Sequence, residues 1–295
     1  MEKIYLSDSG PKVSQAVYGF WRWSDAPNVN ETTMERVVRL CLDLGINSFD
    51  HADHYGRYAC ETMFGNVVSR AGIKREDIVL FTKCGLNVPE PGKNEYSIRH
   101  YNTSAKHITQ SLERSLRNLQ TDHVDIFLLD GLDPISSVEE TAVALEKLKT
   151  SGKVKHVGVA NFTFTQHQLL ASMLRSPIVT NHVLLNVLNT AALDNGQLDY
   201  IKQRFMRAIA AEPLAGGNIE NSADEKATRV RAVLQDLGEK YNANIESLSV
   251  AWINRLGVIP LIGTLQESRI RNIADSFRIH LEHEDWYRIY EAGRN

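Results

Sequence analysis

Val124-Asp125-Ile126-Phe127-Leu128-Leu129-Asp130 is a short run of aliphatic and β-branched residues, and it reads as a strand. Val138–Ser151 follows as a helix that ends at Gly152, and Val154–Ala160 is a second apolar strand. Strand, helix, strand in that order is the unit of a parallel sheet, because parallel neighbours need a crossover long enough to return the chain to the same edge.

The alternation extends outward from this unit. Upstream, Thr32–Leu44 is helical by the spacing of Val37, Val38, Leu40, Cys41 and Leu44, and Gly45 ends it. Ser48–Ala52 reads as a strand, Glu61–Arg70 as a helix and Val79–Lys83 as a strand. A loop rich in Gly and Pro, Gly85–Thr103, leads to a helix capped by Ser104 and running to Leu119. Downstream, Thr165–Leu174 is a helix, and Ile178–Leu185 and Ala208–Ala211 are strands. Asp224–Tyr241 and Ile245–Leu256 are helices, Val258–Gly263 is the last strand, and Ser268–Phe277 and His283–Glu291 close the chain as helices. At the start, Lys3–Leu6 and Val13–Val17 flank the turn cluster Ser9-Gly10-Pro11, a hairpin able to plug one end of a barrel.

About eight strand–helix units with no linker between them predict one α/β domain over residues 1–295, a (β/α)8 TIM barrel preceded by a β-hairpin. Closure uses every strand and leaves no sheet edge. The competing architecture, an open doubly wound sheet, usually carries G-x-G-x-x-G in its first turn, and none is present. Gly85 and Gly92-Lys93 have the wrong spacing for a phosphate-binding Walker loop.

Composition narrows the function classes. The 295 residues carry a formal net charge of -3, with no Lys/Arg run interleaved with aromatics, so no nucleic-acid partner is expected. No apolar run approaches the roughly 20 residues that span a bilayer. The first residues lack an apolar leader segment, and the three cysteines, Cys41, Cys60 and Cys84, form no CxxC. Free thiols in a reducing cytoplasm, and a small-molecule substrate, are the expectation.

In such barrels the chemistry sits where the strands end. The polar residues there are Asp50-His51-Ala52-Asp53-His54-Tyr55-Gly56, Thr82-Lys83-Cys84-Gly85, Asp130-Gly131-Leu132-Asp133, Gly158-Val159-Ala160-Asn161-Phe162, Asn181-His182, Glu212-Pro213-Leu214 and Pro260-Leu261-Ile262-Gly263. This ordered set resembles the aldo-keto reductase superfamily across almost the whole chain. His100-Tyr101 and Thr121-Asp122-His123 draw it toward that superfamily's bacterial YdhF-like branch. The resemblance implies a nicotinamide-dependent oxidoreductase acting on a small carbonyl, alcohol or enone. It implies NADP(H) as cofactor, with NAD(H) as the other candidate. Asp50, Tyr55 and Lys83 fall on three of the family's four catalytic positions. A phenol has an ordinary pKa of about 10, and a neighbouring ammonium favours the phenolate. Tyr55 is thus expected to exchange a proton with the substrate oxygen while Asp50 holds Lys83. The cofactor contacts implied are Phe20, Trp21, Asn161, His182, Glu212, Leu214, Gly216, Gly263, Thr264, Arg269 and Asn272.

The pattern also breaks. The family's fourth residue, a His, is Asp130, which as a carboxylate can only accept hydrogen bonds. Either the pocket raises its pKa so that it donates as a neutral acid, as Glu does in family members that reduce C=C bonds, or it stays charged and carbonyl reduction is attenuated. A Ser is replaced by Ala160 and a Gln by His182, and the W/Y-S-x-L pattern whose aromatic would stack on the nicotinamide reads Ala211-Glu212-Pro213-Leu214. The Lys of a Lys/Arg pair on the 2′-phosphate is Gln266, which blunts any preference for NADPH. Two other functions stay open: a barrel that binds without turnover, and a non-redox lyase, isomerase or hydrolase using Asp130, Glu212 and His182. His51-Ala52-Asp53-His54 suggests a metal site, but along a strand His51 and Asp53 face away from Asp50, toward the helices, so no metal is assigned. The loops Gly85–Thr103 and Pro213–Asp224 are the candidates for substrate choice.

Overall fold

A computed structural model describes residues 1–24, 29–92 and 96–294. The chain opens with an antiparallel pair, β1 (Lys3–Tyr5) and β2 (Lys12–Ser14), with Ile4 opposite Val13. The strands β3 (Val17–Gly19), β4 (Ser48–Asp50) and β5 (Val79–Cys84) begin the main sheet. Next come two short antiparallel strands, β6 (Leu86–Asn87) and β7 (His100–Tyr101). The sheet continues with β8 (Val124–Asp130), β9 (Val154–Ala160), β10 (Ile178–Leu184), β11 (Ile209–Ala211) and β12 (Ile259–Ile262). In the order β3-β4-β5-β8-β9-β10-β11-β12 these strands close into a barrel, every neighbouring pair parallel.

The TIM barrel expected from the alternation is therefore present, and so is the hairpin. Its second arm is shorter than expected. The run Val13–Val17 is divided, with Val17 starting the first barrel strand. Ser14 marks the division. Its hydroxyl donates to Ala16 O (2.6 Å) and accepts from the amides of Asn47 and Ser48 (3.2 Å each), which turns the chain from the plug into the barrel wall. Other differences are additions. Ala191–Asp194, Gln197–Gln203 and Asn218–Asn221 are short helices in stretches read as connections. The loop Gly85–Thr103 carries β6 and β7, while its residues 93–95 lie outside the described residues.

Inside the barrel, one apolar cluster joins Val17, Phe81, Ile126, Leu128, Val179, Ile209, Ile259 and Leu261 to Leu6 and Val13 of the hairpin. The hairpin seals the end of the barrel where the strands begin. A second, larger cluster fills the space between strands and helices. The polar ends of the strands are left at the opposite mouth, the one place in the barrel where side-chain chemistry meets solvent.

His51 points outward into the helix layer, as its alternation with Asp50 requires. Its ring stacks on Phe20 (centroids 4.4 Å, 9° between planes) and meets Phe64 edge-on at 4.5 Å. Among the described residues neither ring nitrogen has a hydrogen-bond partner. Burial, and then the charge of Lys83, hold its pKa well below the ordinary imidazole value of 6.5. The folded state refuses a proton that the unfolded chain accepts, so stability is kept above the unfolded pKa and lost as pH falls below it. Replacing His51 by Phe removes this loss. Chemical denaturation of His51→Phe from pH 7.5 to 5 should show a pH slope shallower than the parent's by up to about 1.4 kcal/mol per pH unit. Equal slopes would show that His51 titrates normally.

Candidate active site

Asp50 ends β4, and Lys83 lies near the end of the adjacent β5. Both are buried. Lys83 Nζ donates to Asp50 Oδ2 at 2.6 Å and to His51 O at 3.0 Å. Burial pushes the Asp50 carboxyl up to about 6 against the pull of the Lys83 ammonium. The ammonium also sits 4.7 Å from the centroid of the Tyr55 ring, a cation–π contact. The three residues expected to act together are thus in contact.

The sense of the perturbation differs from expectation. Burial, followed by the carboxylates of Asp50 and Asp130, raises the Tyr55 phenol well above its ordinary value. Burial is the largest cause because it disfavours the charged phenolate, and the two carboxylates add to it.

Tyr55 begins a turn of unusual backbone. Gly56, Arg57 and Tyr58 all have positive φ (58°, 55° and 62°). Consecutive left-handed residues other than glycine cost roughly 1–2 kcal/mol each. Contacts across to the β6–β7 loop hold the turn. Tyr58 Oη donates to Val88 O (2.9 Å) and accepts from Val88 N (3.1 Å), and Arg57 lies 3.9 Å from Glu90. The residue presenting the phenol to the mouth is therefore clasped to the loop that rims it.

On the far side of the mouth Asp130 ends β8 and is buried. Asn161, in the left-handed region at φ 59°, donates its Nδ2 to Asp130 Oδ1 at 2.7 Å. Gly131 next to it has φ +75°, and the ring of Tyr101 lies where a side chain would be, 2.3 Å from an ideal Cβ. His182, from β10, reaches the centre of the mouth with its Nδ1 4.0 Å from Asp50 Oδ1. Burial and Lys83 lower its pKa well below 6.5, so the imidazole is neutral. Glu212 lies apart on an exposed lip. Among the described residues no hydrogen bond or ion pair joins Asp130, Glu212 and His182, and the non-redox reading has no constellation to rest on.

A groove of about 320 Å3 runs from the mouth over β12. It is lined by Trp21, Glu212, Leu214, Gly216, Gly263, Thr264 and Arg269, all among the expected contacts. The indole lies on Gly19 and Gly263, where an ideal Cβ would come within 2.3 and 2.8 Å of it, so an aromatic face is present although strand β11 ends in Ala211. Tyr18 Oη fixes the Thr264 carbonyl at 3.0 Å. The helix Glu267–Ser276 starts at the groove with no side-chain cap on its first amides, a setting that suits a phosphate. A cleft with one aromatic wall, glycine edges and an open helix N-terminus fits a dinucleotide cofactor. Four expected contacts lie outside this lining, Asn161 and His182 being at the mouth beside Asp130 and Asp50. Phe20 is fully buried against His51, Trp23 and Phe64, and Asn272 lies beyond the lining, its carbonyl accepting from Ser247 Oγ (3.0 Å).

The family model for the Aldo/keto reductase family matches residues 16–294. The chain belongs to this family. Among aldo/keto reductase relatives, oxidoreductase YdhF of Escherichia coli is 36% identical, covering 99% of this chain and 98% of its own length. A 6-dehydroglucose reductase of Agrobacterium fabrum is 35% identical, covering 98% and 97%. The crystal structure of the thermostable aldo-keto reductase Tm1743 superposes with a TM-score of 0.86 at 21% identity, covering 99% of this chain and all of that one, so the fold is shared in full.

Two residues escaped the sequence reading. Glu220 and Glu246 both grip Arg269, Glu220 Oε2 at 2.9 Å from Nη2 and Glu246 Oε1 at 2.5 Å from Nε. They arrive from the helices Asn218–Asn221 and Ile245–Asn254. No motif signals them, because only the fold brings them to Arg269.

The Asp50–Lys83 pair gives a direct test of this mouth. Asp50→Asn strands a buried ammonium and is expected to cost about 3–5 kcal/mol, while the double change Asp50→Asn with Lys83→Met recovers much of that loss. Urea unfolding of the three proteins measures both numbers, and a double variant no more stable than Asp50→Asn would rule out a coupled pair.

Proposed function

We propose that this chain is a nicotinamide-dependent oxidoreductase that works as a reductase, with Tyr55 as its proton donor and a small carbonyl compound as its substrate. One observation carries the reading: Lys83, held by Asp50 at 2.6 Å, lies against the Tyr55 ring at the mouth of a closed barrel, beside a groove fit for a dinucleotide.

The bound nicotinamide would supply the hydride. This chain's residues handle the proton. Because its pKa is raised, Tyr55 keeps its proton through neutral pH and can donate it to the oxygen of a carbonyl as negative charge develops there. Lys83, below the ring, then faces a phenolate, whose charge it stabilises at the moment of transfer. The same raised pKa makes Tyr55 a poor base at neutrality, so alcohol oxidation is the disfavoured direction. Asp50 keeps Lys83 from moving away. His182, neutral and buried beside Asp50, adds no charge that would disturb the pair.

Asp130 shapes the substrate. One of its oxygens accepts from Asn161, and its remaining lone pairs accept from a hydroxyl. A carbonyl compound bearing hydroxyl groups suits this mouth better than a purely apolar aldehyde. The name of the relative from Agrobacterium fabrum, 6-dehydroglucose reductase, agrees with that chemistry.

Tyr55→Phe should lower reductase turnover by about 10²–10⁴-fold while nicotinamide affinity stays within a factor of a few. In the parent, reduction should hold level through neutral pH and alcohol oxidation should climb into the alkaline range, because only there does the phenol become a base. Steady-state rates from pH 6 to 10 decide it. Unchanged turnover in Tyr55→Phe would remove the phenol from the mechanism.

A further inference from the structure

We infer that the groove selects NAD(H) over NADP(H), and that Glu220 and Glu246 make the selection by engaging Arg269. The inference rests on the proposed nicotinamide-dependent function and goes beyond it in naming the cofactor and the residues that choose it.

The charges of the groove are the starting point. Its lining holds the carboxylates Glu212, Glu220 and Glu246 and the guanidiniums Arg22 and Arg269, so it carries net negative charge. NADP(H) differs from NAD(H) by one phosphomonoester, a group with a charge of about -1.5 to -2 at neutral pH. A groove of this net sign disfavours the more highly charged ligand except beside its two cations, Arg22 and Arg269.

Arg269 is the cation best placed on the helix that opens onto the groove, and it is committed. Its Nη2 donates toward Glu220 at 2.9 Å and its Nε toward Glu246 at 2.5 Å. These carboxylates approach from two separate helices and occupy two edges of the guanidinium. The side chain of Glu246 is only 12% exposed. Turning Arg269 toward a phosphate would take the ion-pair partner from that poorly solvated carboxylate and leave it only the Asn272 amide, which is costly. The neighbouring Gln266 brings no charge. A ribose hydroxyl meets the opposite situation: carboxylates are acceptors, and a hydroxyl is a donor to them. The pyrophosphate, common to both cofactors, is served by the open amides at the start of Glu267–Ser276 and does not discriminate.

The test is calorimetric titration of the purified full-length protein with NADH and with NADPH, followed by the same titrations on Glu220→Gln/Glu246→Gln. NADH is expected to bind about tenfold or more tightly than NADPH to the parent, and the double variant should move the ratio of the two dissociation constants about tenfold toward NADPH. The parent measurement stands even if the variant folds poorly. NADPH binding to the parent as tightly as NADH, or more tightly, would overturn the inference and leave the oxidoreductase reading intact. A parent that prefers NADH with a ratio unmoved in a folded double variant would overturn the assignment to Glu220 and Glu246. Binding of neither cofactor up to millimolar concentration would bring down the oxidoreductase reading and this inference together.

Discussion

An ammonium buried at the end of a closed barrel must find an anion, and the site follows from how Lys83 does so. Asp50 answers it from the neighbouring strand at 2.6 Å. Strand register makes the answer possible, since Asp50 pairs with Phe81, which places Lys83 a short way further along β5 on the same inward face. The pair then contributes to the electrostatics of the mouth. Burial is the main reason that Tyr55 stays a phenol and His182 a neutral imidazole, with the Asp50 carboxylate adding to the first and the Lys83 ammonium to the second.

The fold was legible because the strands of a barrel sheathed by helices are apolar and the crossovers are amphipathic, so the two periods alternate cleanly along the chain. Val124–Asp130 and Val154–Ala160 coincide with their strands residue for residue. What was misplaced lay where a strand is too short to show a period. Val17–Gly19 has only three residues and follows a hairpin arm of similar composition, so its boundary is set by the hydrogen bonds of Ser14 and not by hydrophobicity. The short helices Ala191–Asp194 and Gln197–Gln203 fill a connection and likewise lack the length to establish a stripe.

The site was legible where one motif carries one role. Asp50 and Tyr55 sit close together in sequence, Lys83 ends the next strand, and the structure brings all three into contact. Legibility failed where a role depends on tertiary neighbours. That Asn161 would turn its amide onto Asp130, that Tyr101 would occupy the space over Gly131, and that Arg269 would be held by two glutamates are consequences of packing between distant segments. The direction of the Tyr55 shift belongs to the same class. Spacing places an ammonium near a phenol, but only the geometry shows how deeply that phenol is buried and that two carboxylates face it.

The sealed lower end of the barrel has a consequence in time. The plug is tied to the far half of the chain: Arg207 N donates to Leu6 O at 2.8 Å, Arg207 Nε donates to Tyr5 O at 3.1 Å, and Ser7 bridges to Met206. The barrel seam is made by β3 and β12, with Val17 opposite Leu261. The hairpin's hydrogen bonds with the barrel therefore join residues as far as 202 apart in sequence. Loop closure over such separations is entropically expensive and is repaid only when the partners meet. Leu6 and Val13 gain their full burial only when Ile209, Ile259 and Leu261 of the last two strands stand over them.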